Sequence, residues 1–271
     1  MIDPVVDIDW VRQRGDRVVL ADVRYYLDGR SGRAAFEQGH LPGAIFVDVE
    51  HDLAAHGAPA AEGRHPLPEP GVFAARMAGL GIGDQDQVIA YDDGGGVMAA
   101  RLVWMLRVTG HDAALLDGGL TAYVGALESG RTHRPPATFT ARPWPADRLA
   151  GIEEAAGAAD AVVLDARQRE RFRGDTEPID PRAGHIPGAR SLPCRENLDP
   201  DGRLLPVAEL RDRFAAVGVG PDTPVISYCG SGVTACHNLI ALEHAGLGPG
   251  RLFPGSWSAY AHSDRPAATG D

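Results

Sequence analysis

The chain has 271 residues, enough for two ordinary domains, and its hydrophobic fraction of 44% is typical of a protein that buries a core. A formal net charge of −11 argues against nucleic acid and acidic membranes as partners. The chain has no lysine, which excludes pyridoxal-phosphate chemistry through a Schiff-base lysine and phosphate binding by a P-loop lysine.

The cysteines predict neither a disulfide framework nor a metal site. Only three are present, Cys194, Cys229 and Cys236, and no pair of ligands has the spacing of a zinc site. The N-terminal residues have no basic region followed by an apolar core, and no apolar run is long enough to cross a membrane. We therefore expect a protein of the reducing cytoplasm that binds no metal.

The first half of the chain alternates predicted strands and helices. Buried strands are predicted at residues 17–22 and 88–91, followed by an apolar helix over 99–108 and a late strand at 115–116. A proline-rich stretch with few apolar residues, 128–150, then predicts an extended linker.

The second half repeats this order. Strands are predicted at residues 161–165 and 225–228, followed by an apolar helix over 236–245 and a late strand at 252–253. Alternation of strands and helices predicts an α/β fold in which a mainly parallel sheet is flanked by helices. Ligands of such sheets bind beyond the carboxyl ends of the strands.

Short motifs show that the two halves are copies of one unit. GHLPGA at residues 39–44 recurs as GHIPGA at 184–189, and VIAYD at 88–92 recurs as VISYC at 225–229. The predicted division of the chain is an N-terminal domain at residues 1–127, a linker at 128–150 and a C-terminal domain at 151–271.

The segment CGSGVT, residues 229–234, is the strongest functional signal. It lies between a predicted strand and a predicted helix, where Gly230 and Gly232 let backbone N–H groups turn inward toward Cys229. The helix that follows adds the positive end of its dipole, and both effects stabilise a thiolate. The alternative is a buried core cysteine beside a glycine turn. In the first copy the same position is Asp92, so the chemistry is expected in the second copy only.

These residues resemble the tandem-domain rhodanese family of sulfurtransferases. The resemblance rests on the two PGA motifs, an inactive first loop, CGSGVTAC in the second copy and GSW at residues 255–257. It implies a rhodanese fold in both halves and a persulfide on Cys229 during turnover. It implies no cofactor, a small-molecule sulfur donor, and a thiol, cyanide or thioredoxin-like acceptor.

The loop is similar to that of the family's 3-mercaptopyruvate branch, whereas thiosulfate-preferring members have basic side chains beside the cysteine. The resemblance implies that Gly230, Gly232, Val233 and Thr234 contribute to donor binding. Thiosulfate as the main donor remains the alternative.

The same branch implies further site residues. Two arginines hold the donor, and the positions that match them are Arg173 and Arg182, whose planar guanidinium groups suit an α-keto acid. Ser231 and His65 are expected to form a relay with an acid at Glu50, or at Asp48 two residues earlier.

Two other classes of protein compete with this interpretation. Cysteine phosphatases share the cysteine loop but need an arginine six residues after the cysteine, where this chain has Ala235. A non-catalytic docking module would have no use for an intact Cys229 loop.

Overall fold

The computed structural model describes every residue from Met1 to Asp271 and divides into two compact units. The first unit comprises Met1–His56, Pro68–Trp144 and Pro200–Leu204, and the second comprises Gly57–Leu67, Pro145–Asp199 and Leu205–Asp271. Residues 57–67 and 200–204 therefore belong to a different unit from the one that a linear division assigns to them. The domain boundaries expected from the sequence stay a prediction.

The first unit contains five strands: β1 (Val5–Val6), β2 (Val18–Asp22), β3 (Ile45–Phe46), β4 (Gln87–Tyr91) and β5 (Ala113–Leu116). They form one sheet with all neighbouring strands parallel, in the order β1-β5-β4-β2-β3. Its helices are α1 (Ile8–Arg14), α2 (Gly32–Gln38), α3 (Pro70–Gly79) and α4 (Ala100–Val108).

The second unit repeats this plan with four strands: β6 (Val162–Asp165), β7 (Arg190–Ser191), β8 (Val225–Tyr228) and β9 (Arg251–Leu252). They form a parallel sheet in the order β7-β6-β8-β9. Its helices are α5 (Ile152–Ala156), α6 (Arg169–Arg173), α7 (Val207–Ala216), α8 (Ala235–His244) and α9 (Ser256–Ala261). The predicted α/β fold with mainly parallel sheets and flanking helices is confirmed.

Burial explains why these segments form these elements. All four residues of β8 are buried, as expected for a central parallel strand that is covered on both faces. The helix that follows, α8, is buried from Ala235 to Leu242 and therefore has no solvent-exposed face over these residues. Together, β8 and α8 fix both ends of the Cys229 loop in the core of the second unit.

Each unit also contains a buried aspartate–arginine pair at the end of an interior strand, β2 in the first sheet and β6 in the second. Arg24 contacts Asp22 and Arg167 contacts Asp165, each with a nitrogen–oxygen distance of 2.7 Å. Each guanidinium also donates to the carbonyl of the first glycine of the repeated motif, Gly39 of GHLPGA or Gly184 of GHIPGA. The repeated sequence thus produces a repeated framework.

None of the helices combines the length and the apolar character that crossing a membrane requires. No group of three or more His, Cys, Asp or Glu side chains is arranged to hold a metal ion.

Candidate active site

Cys229 lies in a tight loop between the end of β8 and the start of α8. Its Sγ accepts a hydrogen bond from the Gly232 N–H at 3.1 Å, and only 2% of the residue is exposed. Gly232 has a φ of +77°, and a Cβ atom there would lie 2.5 Å from the Pro254 oxygen, so the turn requires glycine. The loop therefore directs a backbone dipole at the sulfur, and the first turn of α8 adds its own.

Residues 255–258 hold the loop in this shape. The Cys229 N–H donates to Ser256 Oγ at 3.1 Å, and the Trp257 N–H donates to the Cys229 oxygen at 2.9 Å. Ser256 itself has a φ of +53°, which a non-glycine residue rarely adopts. Ser256 and Trp257 of the GSW motif thus each form one hydrogen bond with the backbone of Cys229.

Ser231 and His65 are in contact, as a relay requires. His65 Nδ1 lies 2.8 Å from Ser231 Oγ, and both residues are buried. His65 belongs to residues 57–67 of the second unit, and the N–H of the preceding Arg64 donates to Ser258 Oγ at 3.0 Å. The structure thus brings a hydroxyl and an imidazole together beside the cysteine loop, an arrangement suited to proton transfer.

The two candidate acids have contacts of their own within the first unit. Glu50 is exposed, and its Oε1 accepts the Tyr25 hydroxyl at 2.9 Å. Asp48 Oδ1 accepts the N–H groups of Glu50 and His51 at 2.9 and 3.0 Å. The Asp48 carboxylate therefore stabilises the turn that carries Glu50. Support of His65 by either acid stays a prediction.

The arginines predicted to bind the donor are engaged elsewhere. Arg182 donates to three backbone carbonyls, those of residues 260, 261 and 265, at 2.7 to 3.0 Å. Arg173 pairs with the exposed Asp175 at 2.8 Å, and 39% of its side chain is exposed. These contacts argue against donor binding by either residue. Donor binding by Arg173 and Arg182 stays a prediction made from the sequence.

Two other arginines lie at the cysteine loop. A Cβ atom added to Gly230 would lie 3.0 Å from Arg64 Nη2 and 3.5 Å from Arg171 Nη1. Arg171 precedes Arg173 by two positions in α6, and two positions on a helix differ by about 200° in direction. One of the two arginines therefore faces the loop while the other faces solvent. The sequence motif alone does not tell which, but a helical register for this segment would have identified Arg171.

Two carboxylates balance these arginines. Arg171 Nη2 lies 2.6 Å from Glu177 Oε1 and 3.5 Å from Asp180 Oδ2, and Arg64 Nη1 contacts Asp180 Oδ1. The carboxylate side chains of Glu177 and Asp180 are only 3% and 1% exposed. Burial acts to raise the pKa of Glu177, but hydrogen bonds from Arg171 and from backbone N–H groups outweigh it and hold the pKa below its ordinary value. Glu177 is therefore a carboxylate at neutral pH.

The remaining predicted donor-binding residues form the loop backbone. Val233 is buried and Thr234 is partly exposed, and their carbonyls accept the N–H groups of Cys236 and His237 in the first turn of α8. With Gly230 and Gly232 they give the loop its shape. Contact between these four residues and a donor stays a prediction.

The other two cysteines, Cys194 and Cys236, have environments different from that of Cys229. Burial raises the pKa of the Cys194 thiol to about 12, so this thiol stays protonated at neutral pH. The Cys236 thiol, inside α8, donates to the Gly232 carbonyl with its sulfur 3.4 Å from the oxygen. No disulfide joins the three buried cysteines.

In the first unit, the loop equivalent to the Cys229 loop is built around Asp92. Asp92 is 1% exposed, and its carboxylate accepts four backbone N–H groups at 2.7 to 3.0 Å, those of Gly94, Gly96, Met98 and Ala99. The Asp92 side chain therefore occupies the position toward which the N–H groups of this loop point. The Cys229 loop has the same position in its repeat but contains a sulfur in place of the carboxylate.

Replacement of Asp92 by alanine is expected to destabilise the protein by at least about 3 kcal/mol, because four N–H groups lose their acceptor. Urea unfolding followed by circular dichroism measures this change. Asp93→Ala removes the neighbouring exposed carboxylate and is the matched control. A loss below about 1 kcal/mol for Asp92→Ala, similar to that of the control, would contradict this explanation of the loop.

Both repeats also match the model of a known family. Residues 7–126 and residues 149–263 each match the model of the rhodanese-like domain. The chain therefore belongs to the rhodanese family, which confirms the resemblance seen in its repeats and its cysteine loop.

Several relatives are similar over nearly the whole chain. It is 43% identical to a probable 3-mercaptopyruvate sulfurtransferase of Pseudomonas aeruginosa, over 94% of this chain and 93% of the relative. It is 40% identical to a putative thiosulfate sulfurtransferase, SseB, of Mycobacterium tuberculosis, over 95% of this chain and 93% of the relative. The crystal structure of the 3-mercaptopyruvate sulfurtransferase SseA from Escherichia coli matches with a TM-score of 0.83 and 32% identity, over 94% of this chain and 99% of that chain.

Proposed function

We propose that this chain is a sulfurtransferase that takes sulfur from 3-mercaptopyruvate, carries it as a persulfide on Cys229 and delivers it to a thiol or cyanide. One observation carries the proposal. Cys229 Sγ receives the Gly232 N–H inside a loop that also presents the Ser231–His65 hydrogen bond. The names of the relatives support the same class of reaction.

In the first half-reaction the Cys229 thiolate attacks the sulfur of the donor. A sulfur–sulfur bond forms, the carbon–sulfur bond breaks, and its electron pair leaves on carbon as the enolate of pyruvate. The proton of the donor's thiol passes through the Ser231–His65 pair to this carbon, so that pyruvate leaves and the persulfide remains as an anion. The outer sulfur stays on Cys229, where the loop N–H groups and the dipole of α8 stabilise its negative charge.

In the second half-reaction an acceptor thiolate or cyanide attacks the outer sulfur, and Cys229 leaves as the thiolate. The cycle is a ping-pong reaction whose steps require neither a metal nor an organic cofactor. A small thiol or a thioredoxin-like protein of a reducing cytoplasm is the proposed acceptor. The absence of any disulfide among the three buried cysteines is compatible with that compartment.

In this proposal Arg64 and Arg171 bind the donor, in place of Arg173 and Arg182. Both guanidinium groups approach the position of Gly230, next to Cys229. A guanidinium binds a carboxylate through two parallel hydrogen bonds, and this geometry would orient an α-keto acid with its sulfur toward the thiolate.

The proposal is tested by measuring kcat/KM for 3-mercaptopyruvate and for thiosulfate, with cyanide as acceptor, in the wild type and in two arginine variants. We expect the wild type to prefer 3-mercaptopyruvate and Arg171→Ala to raise the KM for that donor by at least about tenfold. Arg173→Ala removes the same charge from the other side of the same short helix and should change the KM by less than about twofold. The opposite ranking of the two variants would restore the sequence-based assignment.

Thiosulfate as the main donor is the second candidate, because a relative 40% identical to this chain is named a putative thiosulfate sulfurtransferase. The same loop and persulfide would serve it. A wild type that uses thiosulfate at least about tenfold more efficiently than 3-mercaptopyruvate would favour this candidate.

A further inference from the structure

Asp180 occupies an unusual position for an acidic residue near a site for anionic donors. Its side chain is 1% exposed and contacts Arg64 Nη1 and Arg171 Nη2, the two guanidinium groups at the cysteine loop. The backbone N–H groups of Asp180 and Ile179 both donate to Glu177 Oε1 at 3.1 Å, and these bonds connect the Asp180 backbone to the Glu177 carboxylate. A buried carboxylate therefore already holds the groups that would hold the carboxylate of a donor.

The charges around this position cancel. Arg171 also contacts Glu177, and Glu177 in turn contacts Arg167 of the buried pair described above. The connected cluster consists of three guanidinium groups and three carboxylates, those of Arg64, Arg167, Arg171, Asp165, Glu177 and Asp180. Its formal charge is zero, so it can bind an anion through directed hydrogen bonds but attracts additional negative charge only weakly.

We propose that Asp180 sets the donor preference by neutralising the Arg64–Arg171 pair, so that the site accepts a donor with one negative charge and discriminates against a dianion. The inference rests on the proposed function, since it concerns the same site and the same reaction. Thiosulfate carries two negative charges close together, whereas 3-mercaptopyruvate with a protonated thiol carries one, on its carboxylate. Each charge added to or removed from the cluster therefore affects the dianion about twice as strongly.

The test is the ratio of kcat/KM for thiosulfate to that for 3-mercaptopyruvate, because the two variants should shift it in opposite directions. Asp180→Asn removes a negative charge and keeps an oxygen acceptor, and we expect the ratio to rise by at least about tenfold. Arg64→Gln removes a positive charge, and the ratio should fall by a similar factor. The rise should shrink as the ionic strength increases, since it reports a charge and not a shape.

Asp175→Asn is the matched control. It removes a carboxylate from the same segment, but at an exposed position paired with Arg173, and it should leave the ratio unchanged. If Asp180 has only a structural function, Asp180→Asn will lower both kcat/KM values in parallel with an unchanged ratio, which overturns the inference. If Asp180→Asn fails to fold, the Arg64→Gln variant alone tests the proposal. A lower ratio of kcat/KM for thiosulfate to that for 3-mercaptopyruvate supports it, and an unchanged or higher ratio contradicts it. A wild type that transfers sulfur from neither donor refutes the proposed function itself, which is a distinguishable result.

Discussion

Replacing Cys229 with serine is expected to abolish sulfur transfer from 3-mercaptopyruvate and from thiosulfate, with a loss of at least about a thousandfold in kcat. A serine hydroxyl stays protonated at neutral pH and forms no persulfide, so the loop N–H groups have no sulfur anion to stabilise. Formation of thiocyanate from cyanide measures the loss. Circular dichroism should show an unchanged fold, because serine fits the space of the buried Cys229.

The matched control is Cys194→Ser. Cys194 is also buried and belongs to the same unit, but its thiol has a pKa raised by burial to about 12 and is not the proposed nucleophile. This variant should keep most of the activity. Substantial turnover by Cys229→Ser, or loss of turnover only in Cys194→Ser, would show that Cys229 is not the nucleophile.

Alanine at Ser231 or at His65 is expected to lower kcat with 3-mercaptopyruvate by about 10²- to 10³-fold. The two side chains share one hydrogen bond of 2.8 Å and act as a unit. The double variant should therefore be little worse than either single variant. Steady-state kinetics of the three variants form a double-mutant cycle that measures this coupling.

Thiosulfate supplies the control for this cycle. Its leaving group is sulfite, which needs no proton on carbon, so the same variants should lose much less activity with thiosulfate than with 3-mercaptopyruvate. Equal losses with both donors would mean that the pair shapes the loop and does not transfer a proton. Multiplicative losses in the double variant would mean that Ser231 and His65 act independently.

The sequence was sufficient for the fold because the fold depends on local patterns that occur twice. The predicted strands at 88–91 and 225–228 became β4 and β8, since continuous apolar runs of this length are buried as parallel strands. The Cys229 loop was also predictable, because a glycine with positive φ and a close backbone contact has a direct sequence signature.

The arginines were not predictable in the same way. Arg171 and Arg173 are two positions apart, and only the register of α6 decides which of them reaches Gly230. Arg64 reaches the loop because residues 57–67, which lie within the first repeat of the sequence, belong to the second unit. No local sequence pattern predicts this assignment. Arg182 matched the expected motif, yet its guanidinium satisfies carbonyls at the end of α9 and beyond. Side-chain partners of this kind are set by tertiary packing.

We propose above that the Cys229 sulfur, which accepts the Gly232 N–H, takes up a second sulfur atom. The most direct test incubates the wild-type protein with 3-mercaptopyruvate, omits any acceptor, and determines the mass of each cysteine-containing peptide under non-reducing conditions. We expect an increase of about 32 Da on the Cys229 peptide alone, which is lost on addition of cyanide with formation of thiocyanate. An unmodified Cys229 peptide in a protein that still turns the donor over would contradict this proposal.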